Sequence, residues 1–225
     1  MNKISAICIL LLSSVMGYAQ NATTQDLIEE YQKTAGDHAA LYYAPIEPFF
    51  MQARWINDPY WETDQCTSGE VFYDGVLYRD VMMRFNVATQ SLIVATPVSK
   101  ILVAPNMEKI EYFTLFGHRF EKFDGKFREL MAGDKNLKLW HEKTKVRGRD
   151  VEKNRRIYLN FDETDKYFIV DGGRTFQVKK AKDIAKNYPE YKKQIKKYIR
   201  TSELDYAESK VYAIVKTFEY LTSIK

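Results

Sequence analysis

Alternating apolar and polar positions dominate the middle of the chain, and a period of two is typical of β-strands. The alternation is clearest between Gly69 and Pro97. There, two short apolar runs, Val71–Tyr73 and Val76–Tyr78, flank the pair Asp74-Gly75. An Asp-Gly pair between such runs is a strong signal for a two-residue hairpin turn. The pattern therefore predicts a β-hairpin around which the rest of the sheet is built.

The alternation continues as far as residue 178 and predicts an antiparallel sheet. Gly117 and the pair Asp124-Gly125 separate neighbouring runs and predict two more tight turns. Within one run the pattern places Leu137, Leu139 and His141 on the same face. Beyond the first hairpin, strands are predicted at Val81–Val87, Leu92–Thr96, Lys100–Val103, Ile110–Phe116, His118–Phe123, Phe127–Met131, Asn136–Glu142, Ile157–Phe161, Tyr167–Val170 and Thr175–Val178.

Two charged stretches interrupt the alternation. Thr144–Lys153 contains Gly148 and is predicted to be a mobile loop. Asn160–Asp165 (NFDETD) is predicted to be the tip of a hairpin. Its three carboxylates are the kind of ligand that Ca²⁺ prefers, but the segment lacks the glycine of a tight calcium loop. We therefore expect no metal site there.

Apolar residues recur at a helical spacing at both ends of the chain. Thr24–Thr34 is predicted to be a short N-terminal helix. Near the C-terminus, helices are predicted at Ala181–Tyr188, at Pro189–Ser202 and from Leu204 onwards. We therefore predict an α+β fold, mainly antiparallel β. In it, a curved sheet, a sandwich or a partly open barrel carries a short N-terminal helix and a small C-terminal helical element.

Between the first helix and the sheet lies Ala39–Trp61, which is dense in aromatic residues and proline. Proline excludes a continuous helix or a central strand, so we predict an irregular arm packed on a face or edge of the sheet. The predicted organisation is a signal peptide at 1–19, the helix and arm at 20–68, the antiparallel core at 69–178 and basic helices at 179–225, with 20–225 as one folding unit.

The N-terminus has the pattern of a secretory signal peptide. Lys3 gives a positive start, Ile4–Met16 is apolar, and Gly17-Tyr18-Ala19 places small residues at a cleavage site. The apolar stretch is too short for a membrane helix, and Cys8 lies inside it, which argues against a lipid anchor. We predict secretion across the inner membrane, to the periplasm, the outer membrane or the extracellular space, with no transmembrane segment after cleavage. An uncleaved N-terminal anchor is the alternative.

The net charge is +4, which is too small to indicate nucleic-acid binding. The positive charge is concentrated in Lys179–Arg200, where nine basic residues stand against two acidic ones. This segment is a candidate for contact with lipid head groups or lipopolysaccharide phosphates. The alternative is the solvated outer face of a docked helix. The candidate contacts are Lys192, Lys193, Lys196, Lys197 and Arg200.

The sequence contains no recognisable catalytic, metal or nucleotide motif, and we expect no cofactor. His38, His118 or His141 could serve as a base if the fold joined one of them to Cys66 or to a carboxylate. Otherwise Cys66, which has no partner for a disulfide after signal cleavage, is a small buried apolar residue.

Four aromatic residues are candidates for stacking on sugar rings. The alternative is that these large side chains cover the sheet. The four are Trp55, Tyr60, Trp61 and Trp140.

Four segments occur in an order and spacing that form a pattern: Asp58-Pro59-Tyr60-Trp61, FYDGVLYRDVMMRFNVATQSLIV, IEYFTLFGHRF and KYFIVDGGRTFQVKKAKDIAKNYPEYKKQIKKYIR. The pattern resembles an uncharacterised family of secreted Bacteroidetes-type proteins. The resemblance covers most of the chain after the signal peptide. It implies an exported protein of a Gram-negative cell and brings no activity, substrate or site residue.

We therefore predict a non-enzymatic exported protein of the bacterial envelope that acts by binding or structural association. Its partners would be envelope proteins or an anionic lipid surface. One alternative is a secreted hydrolase whose site assembles only in three dimensions. Another is association with an anionic surface through Lys179–Arg200.

Overall fold

The computed structural model describes residues 24–47, 55–204 and 209–225. The predicted signal peptide, and residues 48–54 of the arm, lie outside these ranges. The described helices are α1 Thr24–Ala35, α2 Ala181–Asn187, α3 Lys192–Thr201 and α4 Lys210–Ile224, with short 3-10 helices at Gly36–His38 and Met107–Lys109. The described strands are β1 Thr67–Tyr73, β2 Val76–Asn86, β3 Ser91–Ala95, β4 Leu102–Val103, β5 Ile110–Leu115, β6 His118–Phe123, β7 Lys126–Gly133, β8 Leu137–Arg147, β9 Val151–Lys153, β10 Arg156–Tyr158, β11 Phe161–Asp171 and β12 Arg174–Val178.

Ten strands form one antiparallel sheet in the order β12-β11-β8-β7-β6-β5-β1-β2-β3-β4, while β9 and β10 pair separately. The sheet is not closed into a barrel. The predicted α+β fold is confirmed, with short helices near both ends of the described chain. The hairpin at Asp74-Gly75 is also confirmed, and its two residues have φ values of +52° and +79°.

Two runs that were predicted as separate strands form a single bulged strand. The run at 76–78 and residues 81–86 of the next run both belong to β2, although a register shift divides the pairing of β2 with β1. Gly69 pairs with Val81 and Val71 pairs with Tyr78, so two residues of β2 oppose one of β1. One of the two is Asp80, whose φ is +54°. A bulge of this kind keeps both apolar runs on the buried face.

Two predictions were wrong, the loop at 144–153 and the acidic hairpin tip at 160–165. β8 continues to Arg147 and pairs along its whole length with β11, which begins at Phe161. Charged residues that discouraged a strand prediction are matched across this ladder, and Lys143 Nζ lies 2.8 Å from Glu163 Oε1. Cross-strand ion pairs therefore extend the sheet beyond its apolar part.

The C-terminal helices are shorter than predicted. α2 ends at Asn187, α3 begins at Lys192 and α4 begins at Lys210. None of the helices in the described ranges has the length and apolarity that crossing a membrane requires.

One row of directly paired residues crosses seven strands from β1 to β12, and paired residues share a face of the sheet. The row is Val71, Phe113, Phe120, Glu129, His141, Tyr167 and Val178. At the β1 end it joins an apolar cluster with the arm residue Trp61. At the β12 end it joins a second apolar cluster with the helices, including Ile184. The polar members Glu129 and His141 therefore lie where the two clusters meet.

The described parts of the arm are irregular and satisfy the backbone of edge strand β4. The Glu47 N–H donates to the Leu102 carbonyl, and the Ala104 N–H donates to the Pro45 carbonyl, both at 2.9 Å. The arm thus covers one edge of the sheet as well as part of one face.

Asp171 anchors the helical end to β11. Its carboxylate accepts hydrogen bonds from Tyr188 and Arg174, each at 2.9 Å, and from Lys225. The bond from Lys225 is the main reason that the pKa of Asp171 lies below its ordinary value. Because Tyr188 follows α2 and Lys225 follows α4, this one carboxylate holds two helices against the sheet.

Candidate functional site

The basic segment predicted from the sequence forms the outer face of α3. Ile195 and Ile199 are buried, and Tyr198 stacks on Tyr220 with ring centroids 4.1 Å apart. These inward positions recur at a spacing of three and four residues. The intervening basic side chains are therefore exposed to solvent.

Residues of α2 and α3 line a cleft of about 610 Å³. We call it the basic cleft, and its lining is Lys182, Lys193, Lys196, Lys197, Ile199 and Arg200. Of the candidate contacts predicted from the sequence, Lys192 is exposed but is not part of this lining. In the part of the chain that the structure describes, Lys193, Lys196, Lys197 and Arg200 form no ion pair. Because several cations line one opening, an anion that enters the cleft would be attracted by all of them at once.

A second polar site lies at the centre of the cross-strand row. We call it the seam; it consists of His118, Glu129, His141 and Asp165. Glu129 Oε1 lies 2.5 Å from His118 Nδ1, and Glu129 Oε2 lies 2.7 Å from His141 Nδ1. The other ring nitrogen of His141, Nε2, lies 2.7 Å from Asp165 Oδ1. The seam is therefore one hydrogen-bonded chain from β6 to β11.

The seam is buried at its centre and open at its ends. Glu129 and His141 are 5% and 8% exposed, whereas the side chains of His118 and Asp165 are 43% and 40% exposed. Burial opposes a charge on His141, but hydrogen bonds to Glu129 and Asp165 outweigh it and raise the pKa of His141. Burial also opposes a charge on Glu129, yet hydrogen bonds from the two histidines hold its pKa below the ordinary value.

Aromatic rings and a lysine enclose the seam. The Trp61 ring packs against His141 and Phe120, with centroid distances of 5.3 and 4.8 Å. Tyr167 stacks on His141 at 4.8 Å. Lys143 Nζ lies 5.1 Å from the Trp61 centroid. The arm therefore contributes one wall of the seam through Trp61.

The four aromatic residues considered for sugar stacking do not share a surface. Tyr60, Trp61 and Trp140 are 7%, 4% and 3% exposed. Trp55 is half-buried against Phe161. Trp140 precedes His141 on β8 and so lies on the face opposite Trp61. These positions support the alternative that the rings cover the sheet.

Two further candidates lie apart from the seam. Cys66 is half-buried beside Arg84 and Glu47, and burial raises the pKa of its thiol. His38 is exposed in a 3-10 helix before the arm. Within the described ranges, no group of three or more His, Cys, Asp or Glu side chains is placed to hold a metal ion.

Sequence reasoning missed Glu129 and Asp165 as partners of the histidines. One signal was present, because Phe127, Glu129 and Met131 alternate in β7 and place a carboxylate in an otherwise apolar series. A charged residue at such a position needs a buried partner. No comparable signal marked Asp165, which was predicted to lie in an exposed turn.

The chain was also compared with known proteins. No protein-family model matches it, and neither a curated protein nor a solved structure shows significant similarity to it. The resemblance to secreted Bacteroidetes-type proteins stays a prediction, and the structural case for a binding or catalytic site depends on the cleft and the seam.

Proposed function

We propose that this chain is an exported, non-enzymatic protein of the bacterial envelope that binds an anionic, phosphate-bearing ligand in the basic cleft. The observation that carries the proposal is the group of four cations around the cleft that have no ion-pair partner among the described residues. Export is inferred from the predicted signal peptide, and the envelope address from the family resemblance.

A phosphate group suits this cleft better than a carboxylate does. Arg200 can donate two parallel hydrogen bonds, and lysines add point charges that several phosphate oxygens can share. Ile199 also lines the cleft but is 1% exposed, so the apolar contact there comes mainly from the methylene stems of the lysines. Phosphate beside an apolar group is the chemistry of a lipid head group or of lipopolysaccharide, so we expect a ligand of this class.

Replacing Lys193, Lys196 and Arg200 with glutamine is expected to weaken binding to anionic vesicles on the order of 100-fold, at about 1 kcal/mol per basic residue near the surface. The probe is co-sedimentation of residues 20–225 with phosphatidylcholine vesicles, with and without an anionic phospholipid or lipopolysaccharide. Binding should also fall as salt is added, because exposed charges are screened.

The matched control removes the same charge elsewhere. Lys33, Lys126 and Lys153 are exposed and lie on other elements, so their replacement with glutamine should leave most of the binding intact. Equal weakening by both triple variants would show that net charge, not the cleft, is responsible. Binding that ignores both salt and the cleft substitutions would contradict the proposal.

The contact between His118 and Glu129 favours a second candidate, a secreted hydrolase. Glu129 orients the His118 ring through Nδ1, and the half-exposed ring then presents Nε2 to solvent. In this candidate Nε2 accepts a proton from a water molecule as the water attacks an ester, and then returns that proton to the leaving alcohol. The two residues of this candidate site come from the neighbouring strands β6 and β7.

A panel of carboxylic and phosphoric esters tests this candidate. Turnover should drop by about 10²-fold or more in His118→Asn, and His38→Asn should retain it because His38 lies outside the seam. Cys66→Ser should also retain it. Absence of turnover on the panel, or equal turnover in His118→Asn, would remove the hydrolase from consideration.

A further inference from the structure

The arm segment from Asp58 to Trp61 is held over the seam by backbone and side-chain contacts. The Trp61 N–H donates to the Phe85 carbonyl, and the Val87 N–H donates to the Pro59 carbonyl, both at 2.9 Å. These two amides exist as hydrogen-bonded pairs only while the segment lies on β2. They are therefore direct reporters of whether this part of the arm is in place.

A lysine of the sheet adds a third contact. Lys145 is 9% exposed, and its Nζ donates to the Asp58 carbonyl at 3.1 Å. The same ammonium lies 3.8 Å from Asp58 Oδ1 and 3.4 Å from Glu163 Oε2. The segment is thus fastened at Asp58 by a buried charge and at Trp61 by ring packing on His141.

His141 can make both of its seam contacts in one protonation state. Each ring nitrogen faces a carboxylate oxygen, and an ionised carboxylate only accepts hydrogen bonds. Both bonds therefore require the imidazolium, which carries two N–H groups. Neutral His141 leaves one nitrogen lone pair facing either Glu129 or Asp165, which is repulsive.

We propose that the seam is a pH-controlled latch: protonated His141 holds the Asp58–Trp61 segment on the sheet, and loss of that proton loosens it. Trp61 packs against the imidazole, so a rearrangement of the His141 ring that relieves the repulsion disturbs its contact with Trp61. The device depends on the juxtaposition of an arm aromatic, a buried histidine and two carboxylates from different strands.

The charges around His141 reinforce this direction. Charged groups on three other strands and on the arm face His141 or its lysine neighbours on β8, Lys143 and Lys145. These groups are His118 on β6, Glu129 on β7, Glu163 and Asp165 on β11, and Asp58 and Glu62 on the arm. Carboxylates are the larger part of this set. Removing the positive charge of His141 therefore leaves an excess of negative charge around a buried position.

The latch has a defined pH window. Since the pKa of His141 is raised in the folded protein, its contribution is complete below the ordinary value of 6.5 and is lost as pH rises through the folded pKa. Since the pKa of Glu129 is lowered, its contribution is complete above the ordinary value of 4.5 and is lost as pH falls through the folded pKa. The segment should be held most firmly between these ordinary values.

Amide hydrogen exchange at Trp61 and Val87, corrected for the intrinsic pH dependence of exchange, tests the latch in residues 20–225. Protection of both amides should fall as pH rises from the ordinary value of 6.5 to the folded pKa of His141, by up to about tenfold per pH unit, and should level off above the folded pKa. His141→Gln should abolish this slope. His38→Gln, the matched histidine control, should keep it, and Lys145→Met should lower protection at every pH while keeping the slope.

A second measurement avoids dependence on a folded variant. Ring ¹⁵N spectra of the unmutated protein should show both His141 nitrogens protonated at about pH 6, with one proton lost at the pH where the fall in amide protection ends. Protection that does not change with pH, or that keeps falling with the same slope after His141 has lost its proton, would overturn the proposal. An unchanged slope in a folded His141→Gln variant would do so as well.

Discussion

Glu142→Ala is expected to lower the free energy of unfolding by about 3–5 kcal/mol. Glu142 pairs with Arg128 on the face opposite the seam, and both residues are 7% exposed. The variant leaves the guanidinium buried between the rings of Phe123 and Phe168, 4.8 and 5.5 Å away. The Phe123 carbonyl, 2.8 Å from Nη1, accepts one hydrogen bond but cannot neutralise the charge. The other carboxylate in reach, Asp124, is 83% exposed with its Oδ2 3.9 Å from Nη2, so solvent screens its attraction. Urea unfolding, compared at constant m-value, measures the loss.

A double variant separates the two contributions to this loss. Arg128→Met combined with Glu142→Leu removes both charges while keeping apolar volume, and such replacements are often neutral or stabilising. The double variant should therefore be more stable than Glu142→Ala. If Glu142→Ala alone costs less than about 1 kcal/mol, the pair behaves like an exposed ion pair and our explanation of this face is wrong.

Phe120→Ala is expected to cost about 3–5 kcal/mol through the cavity that it leaves. Phe120 is fully buried in the cluster between the sheet and the arm. Its ring lies 4.7 Å from Phe113, 4.8 Å from Trp61 and 5.6 Å from Phe85, measured between centroids. The variant removes contacts on both the sheet and the arm, so the same urea experiment should show a lower midpoint.

Tyr43→Ala is the matched control in the arm. Tyr43 is 86% exposed, and substitutions at such positions usually change stability by no more than about 0.5 kcal/mol. Phe120→Leu should lie between the control and Phe120→Ala, because it retains most of the buried volume. Equal losses in Tyr43→Ala and Phe120→Ala would show that the loss does not come from buried packing.

Local pattern was sufficient to predict most of the sheet. The two residues of the Asp74-Gly75 turn adopt a positive φ, and the strands on either side of Gly117 form the β5–β6 hairpin. Alternation also placed Leu139 and His141 on one face, and both are buried. Each of these features depends on residues that are close in sequence, where turn chemistry and side-chain period decide the outcome.

The seam could not be predicted because it depends on register between strands. Glu129 meets His141 only through the β7–β8 pairing, and a register shift follows at Leu130. Asp165 reaches His141 because β11 pairs with β8 through a charged stretch that resembles a loop in composition. Composition alone does not show that a lysine such as Lys143 will find a carboxylate on the next strand.

The basic cleft was predicted in part. Charge density alone identified Lys193, Lys196, Lys197 and Arg200, and the helical spacing of Ile195 and Ile199 explains why those cations point outward. The sequence did not show that α2 would bring Lys182 to the same opening. That placement follows from helix packing, which apolar stripes permit in several arrangements.

The hydrogen bonds that join residues 45–47 of the arm to β4 have a further consequence for solubility. A bare edge strand offers unpaired N–H and C=O groups to any other extended chain. In this fold the arm occupies those groups at Leu102 and Ala104, so detachment of the arm would uncover a β-edge and apolar surface together. The arm therefore also protects the molecule against strand-to-strand aggregation with its own copies.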